Sequence, residues 1–138
     1  MLIRPATSED APAIIKILKE LDLYYQALIY KDFWVAEAAG EIIGTAQLEP
    51  HDDFVYLSSV GIKSNQQKHG AGRSFVEKLL LIIKQPVYLY TIIPDFFQKV
   101  GFKIDQNPPA NLPSKERYEC EECFPDKCVT MVKYLNVA

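Results

Sequence analysis

Between residues 52 and 84 the chain passes from an alternating apolar run, DDFVYLSSVGI, through the polar loop KSNQQKHGA, and into GRSFVEKLLLIIK, whose apolar residues return at helical spacing. A strand, a loop and a helix in that order predict a fold in which helices lie against a sheet. The loop does more than connect. A helix opening near Gly70 leaves backbone N–H groups without intrahelical partners at the positive end of its dipole, and Gly70 and Gly72 carry no side chain to keep an anion away. Lys68, His69 and Arg73 add cationic or donor groups around the same point. A phosphate or pyrophosphate suits such a corner. A glycine pair at a helix start also serves simple packing, and neither the GxxxxGK[ST] of a P-loop nor the GxGxxG of a dinucleotide fold is present.

The remaining segments fill in the sheet. MLIRP is a short strand closed by Pro5, and Thr7 or Ser8 can cap a helix with Glu9 and Asp10 in its first turn and Ile14, Ile15, Leu18 and Leu21 as its core face. LYYQALIY (23–30) reads as a second short helix leading into a loop. FWVAEA and EIIGTAQLE are strands joined by a hairpin turn at Ala39-Gly40. In the fourth strand, 52–62, Tyr56, Ser58, Val60 and Ile62 alternate with Val55, Leu57 and Ser59 across the two faces. After the helix of 72–84 come a buried strand PVYLYT (86–91), a short helix PDFFQKV (94–100) begun by Pro94, a strand GFKID (101–105) and a last strand VTMVKYL (129–135). This succession predicts an α/β (α+β) architecture: a mixed, mostly antiparallel sheet flanked by helices, with the glycine corner between the fourth strand and the third helix. The length, 138 residues, suits one domain spanning 1–138, with a Pro- and Cys-containing loop at 106–128 before the last strand.

Charge and cysteine usage exclude several classes of partner. A net charge of −3 gives no general basic field, so nucleic acid is not expected. No apolar run approaches the length of a membrane span and the N-terminal residues have no signal pattern, so a soluble cytoplasmic protein without membrane contact is expected. Cys120, Cys123 and Cys128 are an odd number crowded near the C-terminus, which fits a reducing compartment better than a disulfide framework. Their spacing resembles a metal site, but three thiolates fall short of the four ligands of structural zinc, and nothing places His51 or His69 beside them. No metal is expected. Phe33, Trp34 and Phe54 read as core or as walls of an acceptor cleft, and His51, beside Asp52 and Asp53, as a solvated loop histidine.

Three segments together resemble the GNAT (GCN5-related) N-acetyltransferases. Gln67-Lys68-His69-Gly70-Ala71-Gly72 matches that family's Q/R-x-x-G-x-G/A loop, preceded at the usual distance by the strand end Val60-Gly61-Ile62. IRPATSEDAPAI is similar to its opening strand and helix, and FFQKVGF (96–102) to its F-Y-x-K-x-G-F signature. The resemblance implies direct transfer of the acetyl group of acetyl-CoA, the co-substrate, to a primary amine. It implies that the amides from Gln67 to Arg73 hold the pyrophosphate and that main-chain groups of Val60 and Ile62 pair with the pantetheine arm. The tail, LPSKERYECEECFPDKCVTMVKYL, is similar to bacterial amino-acid N-acetyltransferases of the N-acetylglutamate synthase type. This implies a small acceptor, an amino acid's α-amino group, glutamate-like, with Lys115 and Arg117 as carboxylate partners; two solvated charges among glutamates are the other account of that pair.

The sequence departs from the family pattern at two positions that matter for proton transfer. Phe97 stands where many members place an acidic tyrosine, and Tyr56 stands where some protein-acetylating members carry a glutamate base. Tyr56, with an ordinary pKa near ~10, is a poor base at neutral pH but can orient a water or substrate. Tyr88 and Tyr90 share a face of the next strand; Tyr90, nearer its C-terminal end, is the candidate to reach the thiol, and half-buried packing is the plainer role of both. The alternatives kept beside the small-amine enzyme are a catalytically weak acyl-CoA-binding regulatory module and a protein or peptide N-acetyltransferase. A homodimer is the assembly kept in view.

Overall fold

The computed structural model describes residues 1–26, 28, 30–67, 70–113 and 128–134. Among these residues seven strands form one sheet: β1 (Leu2–Pro5), β2 (Phe33–Ala38), β3 (Glu41–Pro50), β4 (Val55–Ile62), β5 (Val87–Thr91), β6 (Lys103–Ile104) and β7 (Val129–Lys133), in the spatial order β1-β2-β3-β4-β5-β7-β6. Every neighbouring pair is antiparallel except β4 with β5. Among the described residues three helices, α1 (Ala11–Glu20), α2 (Ala71–Ile82) and α3 (Pro94–Lys99), cover the sheet. The mixed, helix-flanked architecture is the one the sequence predicts.

Register divides the side chains cleanly between two faces. Ala36, Ala46, Leu57, Val87, Leu89 and Met131 form one core with Phe75, Val76 and Leu79 of α2 and with Phe97 and Phe102 at the α3 end. On the opposite face α1 packs Ile14 and Leu18 against Phe33 and Val35, and further along the sheet Phe54, Tyr56, Tyr88 and Val132 make a separate aromatic cluster. At roughly 1.5 to 3 kcal/mol for each fully buried large apolar side chain, these contacts are what hold helices of this length in place. α1 is pinned at its start as well: the Asp10 carboxylate accepts the Thr7 amide at 2.7 Å and the Arg4 guanidinium at 2.8 and 3.1 Å. The Arg4 hydrogen bonds hold that carboxyl well below the usual range.

Several expectations need correction. The described residues of 23–30 are irregular, followed by a single 3-10 turn at Tyr30–Asp32, because Tyr25 turns inward to a buried polar partner instead of repeating along a helix face. The glycine corner therefore precedes the second helix, α2, and not a third. The core face of α1 is Ile14, Ile17 and Leu18, with Ile15 and Leu21 only half-buried. The strand expected over 101–105 shrinks to Lys103–Ile104, and the last strand ends at Lys133.

A further correction lies in β4, where Ser59 has φ +53 and the register with β3 shifts between Thr45 and Gln47. Gln47 pairs with Ser58 and Thr45 with Gly61, so Ser59 and Val60 together stand opposite the single residue Ala46. This is a β-bulge, and its extra residue reverses the alternation. Ile62 and Val60 consequently join the α2 side with Leu57, while Tyr56 and Ser58 stay on the α1 side. Gly61 now faces α1, where a Cβ would meet Leu21 Cδ1 at 2.7 Å.

Candidate active site

β4 and β5 are paired at two positions only, Val55 with Val87 and Tyr56 with Tyr88. Beyond them the β5-facing edge of β4 has no strand partner among the described residues, so the sheet opens into a cleft at the bulge. A 3-10 turn, Ser64–Gln66, carries the chain from the open end of β4 to α2. Two hydrogen bonds fix this connection. The Ser64 amide donates to Glu20 Oε1 at 2.9 Å, tying it to the end of α1, and Gln67 Nε2 donates to the Ile62 carbonyl at 2.9 Å. Gly70 caps α2 with φ +74, a left-handed conformation that costs a side-chain-bearing residue about 1 kcal/mol or more, and an added Cβ there would meet nothing within 4 Å. The N-terminus of a twelve-residue helix is therefore open to solvent at the end of the cleft. Its unpaired amides fit the diphosphate of a coenzyme A, and the free edge of β4 fits the amide-bearing arm.

The candidate residues fall into two groups around this cleft. Val60, Ile62, Gln67, Gly70, Ala71, Gly72 and Arg73 lie along the wall that runs from the bulge into α2. Arg73 is exposed and its Nε donates to Glu77 Oε1 at 2.7 Å, one helical turn on. Lys68, His69, Lys115, Arg117, Cys120 and Cys123 lie outside the described residues, while Cys128 is half-buried just before β7. On the α1 side of the sheet Tyr56 is fully buried, and its ring meets that of Tyr90 edge to face at 5.5 Å. The Tyr90 hydroxyl donates to the Pro113 carbonyl at 2.7 Å. Tyr88 is buried with its hydroxyl 3.5 Å from that of Tyr134, and burial pushes its ionisation well above the ordinary tyrosine value. Phe97 is a core residue, packed edge to face against Phe96 and Phe102, so a hydroxyl at that position would enter apolar packing.

Register also reveals a polar row that sequence reasoning did not single out. Phe33, Gln47 and Ser58 stand side by side across β2, β3 and β4, and Glu49, Tyr56 and Tyr88 do so one step along. Gln47 is fully buried and its Oε1 accepts the Tyr25 hydroxyl at 2.9 Å. His51, expected to be solvated, is half-buried instead: it stacks on Phe54 at 4.5 Å and its Nε2 lies 2.8 Å from Glu49 Oε2. Burial, with a smaller contribution from the Glu49 charge, raises the Asp32 carboxyl. Phe33 and Phe54 are buried core, and Trp34 packs against the α2 side. The signal for the row was the alternation Thr45, Gln47, Glu49 within β3, which reads as an ordinary solvent face until α1 is placed over it.

An open groove of about 440 Å³, lined by Trp34, Leu48, Pro50, Val55, Ile82 and Ile83 among others, lies at the far end of α2 from the glycine corner. Among the described residues no group of three or more His, Cys, Asp or Glu is placed to hold a metal, and no helix is long and apolar enough to cross a membrane.

An opened sheet leading to a glycine-capped helix start defines the class, and comparison agrees. The sequence pattern of the acetyltransferase (GNAT) domain matches residues 30–104, more than half of the chain, and the chain belongs to that family. It is an acetyl-CoA-dependent acetyltransferase. Among solved structures, Rv2747 from Mycobacterium tuberculosis, in complex with CoA, is similar at 20% identity and a TM-score of 0.77, over 98% of this chain and 99% of that one. N-acetylglutamate synthase from Neisseria gonorrhoeae, complexed with coenzyme A and L-arginine, is similar at 19% identity and a TM-score of 0.72; 98% of this chain covers only 33% of that protein. Ribosomal-protein-alanine N-acetyltransferase from Brucella melitensis is similar at 18% identity and a TM-score of 0.69, over 98% of this chain and 100% of that one. At these identities the likeness is one of fold.

Proposed function

We propose that the chain, acting as a single domain in the cytoplasm, transfers the acetyl group of acetyl-CoA to the primary amine of a small molecule, foremost the α-amino group of a glutamate-like amino acid. The observation that carries this reading is the loss of β4–β5 pairing beyond Tyr56 and Tyr88, in a cleft that ends at the open start of α2. In it the amides from Gln67 to Arg73, with Lys68 and His69 beside them, hold the pyrophosphate, and main-chain groups of Val60 and Ile62 pair with the pantetheine arm. The reacting carbonyl then lies at the bulge, and the acceptor enters from the α1 side, past Tyr56 and Tyr90. The neutral amine attacks the thioester carbon, the C–N bond forms, the C–S bond breaks, and the thiolate takes up a proton as the new ammonium loses one. Tyr56 orients the acceptor, Tyr90 is the group nearest the thiol, and Lys115 and Arg117 meet the acceptor's carboxylates. A peptide N-terminus is the second reading, favoured by the whole-chain likeness to the ribosomal-protein-alanine enzyme.

With no strong base among these residues, positioning and oxyanion stabilisation supply most of the acceleration. Free-thiol release from acetyl-CoA across a panel of amino acids, peptides and simple amines tests the proposal. Turnover with free amino acids supports it, turnover with peptides alone moves the assignment to the second reading, and tight CoA binding without turnover makes the chain a binding module. In the same assay kcat/KM should rise with pH toward the acceptor's own pKa, and Tyr56→Phe should cost less than the ~100-fold typical of a lost general acid or base.

A further inference from the structure

The two ends of the Gln47 carboxamide are unequally served. Oε1 accepts the Tyr25 hydroxyl at 2.9 Å, whereas Nε2 is buried with no hydrogen-bond partner. Gln47 has no exposed surface at all. Buried amide N–H groups are nearly always paired in folded proteins, and one left unpaired costs more than its hydrogen bond would contribute. Tyr25 occupies the acceptor end of the amide, which leaves both N–H groups of the other end to be accounted for.

The position of this orphan gives it meaning. Gln47 is the register partner of Ser58, and the next residue, Ser59, is the bulged one, with φ +53 and its own hydroxyl buried and unpartnered. Two unpartnered polar side chains thus flank one strained bulge, in the part of β4 beyond its last pairing with β5. Bulges and strained residues gather at functional sites, and a pair of missing partners there points to a ligand group.

Chemistry narrows that group. A primary amide donor requires an oxygen acceptor. The charged groups described near this side are Glu49, paired with His51, and Asp32 with Lys31 beside it, while Arg4 is engaged by Asp10 and Glu37, and Lys63 by Glu41. The carboxylates in these surroundings suit an ammonium, and the orphan donor on Gln47 is itself neutral. A neutral donor one step from the bulge matches an oxygen close to the amine, on the adjoining carbonyl carbon.

We propose that Gln47, oriented by Tyr25, determines acceptor specificity by donating from Nε2 to an oxygen of the carbonyl or carboxyl group next to the amine-bearing carbon. The proposal rests on the α-amino reading above and adds to it the contact that distinguishes an α-amino acid from a simple amine. Tyr25 is a positioning residue, and Gln47 the contact.

Three acceptors with one side chain test it: the free amino acid, its α-carboxamide and the decarboxylated amine. Wild-type kcat/KM should favour the first two over the third by ~100-fold or more, because a site built to hydrogen-bond a substrate oxygen rejects the analogue lacking it. In Gln47→Met that ratio should fall to within ~10-fold, with CoA affinity by calorimetry close to wild type. Tyr25→Phe should raise acceptor KM more than it lowers kcat. A Gln47→Met protein that binds CoA and keeps the full ratio overturns the proposal, as does a wild type that turns over all three alike. Should Gln47→Met fail to bind CoA, the near-isosteric Gln47→Glu decides: a lost preference for the carboxylate and the amide supports the contact, and a retained one removes it. Failure of the parent reading looks different, since wild type would then acetylate simple amines but no α-amino compound, and both assignments would fall together.

Discussion

Where β4 begins, at Val55 and Tyr56, it has strand neighbours on both sides; past the bulge at Ser59 it has β3 alone among the described residues. The first half is sheet interior. Leu57 is 2% exposed against α2, and Tyr56 is 2% exposed against the aromatic cluster. The second half keeps Ile62 in the core but leaves Val60 half-buried and one backbone edge unpaired. One inserted residue separates the two, and with it one strand serves both as structure and as cleft wall. Stability belongs to the half that packs on both faces, and the proposed binding of coenzyme A to the half whose edge is free.

That contrast can be broken experimentally, and the largest effect is expected at the end of the cleft. Gly70→Glu should weaken CoA binding by ~100-fold or more, because like charges brought together at a phosphate site cost several kcal/mol. Gly70→Ala carries the same left-handed strain, about 1 kcal/mol, without the charge, and should keep its CoA affinity while losing a few degrees in melting temperature. Calorimetry on the pair separates strain from electrostatics: equal affinities in the two variants would remove the anion corner.

The halves of β4 should differ next in what truncation costs. Leu57→Ala should lose about 2 to 5 kcal/mol in urea unfolding, as large-to-small changes in packed cores do. Val60→Ala, beyond the bulge, should lose about 1 kcal/mol, since only part of its side chain is removed from water. Similar losses at the two sites would mean that the cleft wall is packed as tightly as the interior. The smallest effect lies at the junction. Ser59→Gly relieves a positive φ and deletes a buried, unpartnered hydroxyl, so it should stabilise by about 0.5 to 1 kcal/mol. Destabilisation there would show that the hydroxyl has a partner worth keeping.

The order of elements was legible because each carries a local signal. Ala39 and Gly40, both with positive φ, form the tight hairpin turn that their sequence announced, and Pro94 opens α3 at its first turn. The glycine corner was legible for the same reason, since a helix start exposes its amides whatever surrounds it. The helix expected over 23–30 failed because apolar spacing cannot say that Tyr25 will be drawn to Gln47, a residue 22 positions away. The polar row failed likewise: Gln47 and Glu49 alternate as solvent-facing residues do, and only the packing of the α1 side makes one of them fully buried.

By itself, then, the sequence determined most of the strands and helices, their order and the glycine-capped start of α2, all properties of neighbouring residues and their backbone. The tertiary structure alone decided the bulge at Ser59, the face on which Val60 and Ile62 lie, the opening between β4 and β5, and the meeting of Tyr25, Gln47 and Ser58. A side-chain period of two locates a strand but not the register of its neighbours, and one extra residue in that register moves every later side chain to the opposite face.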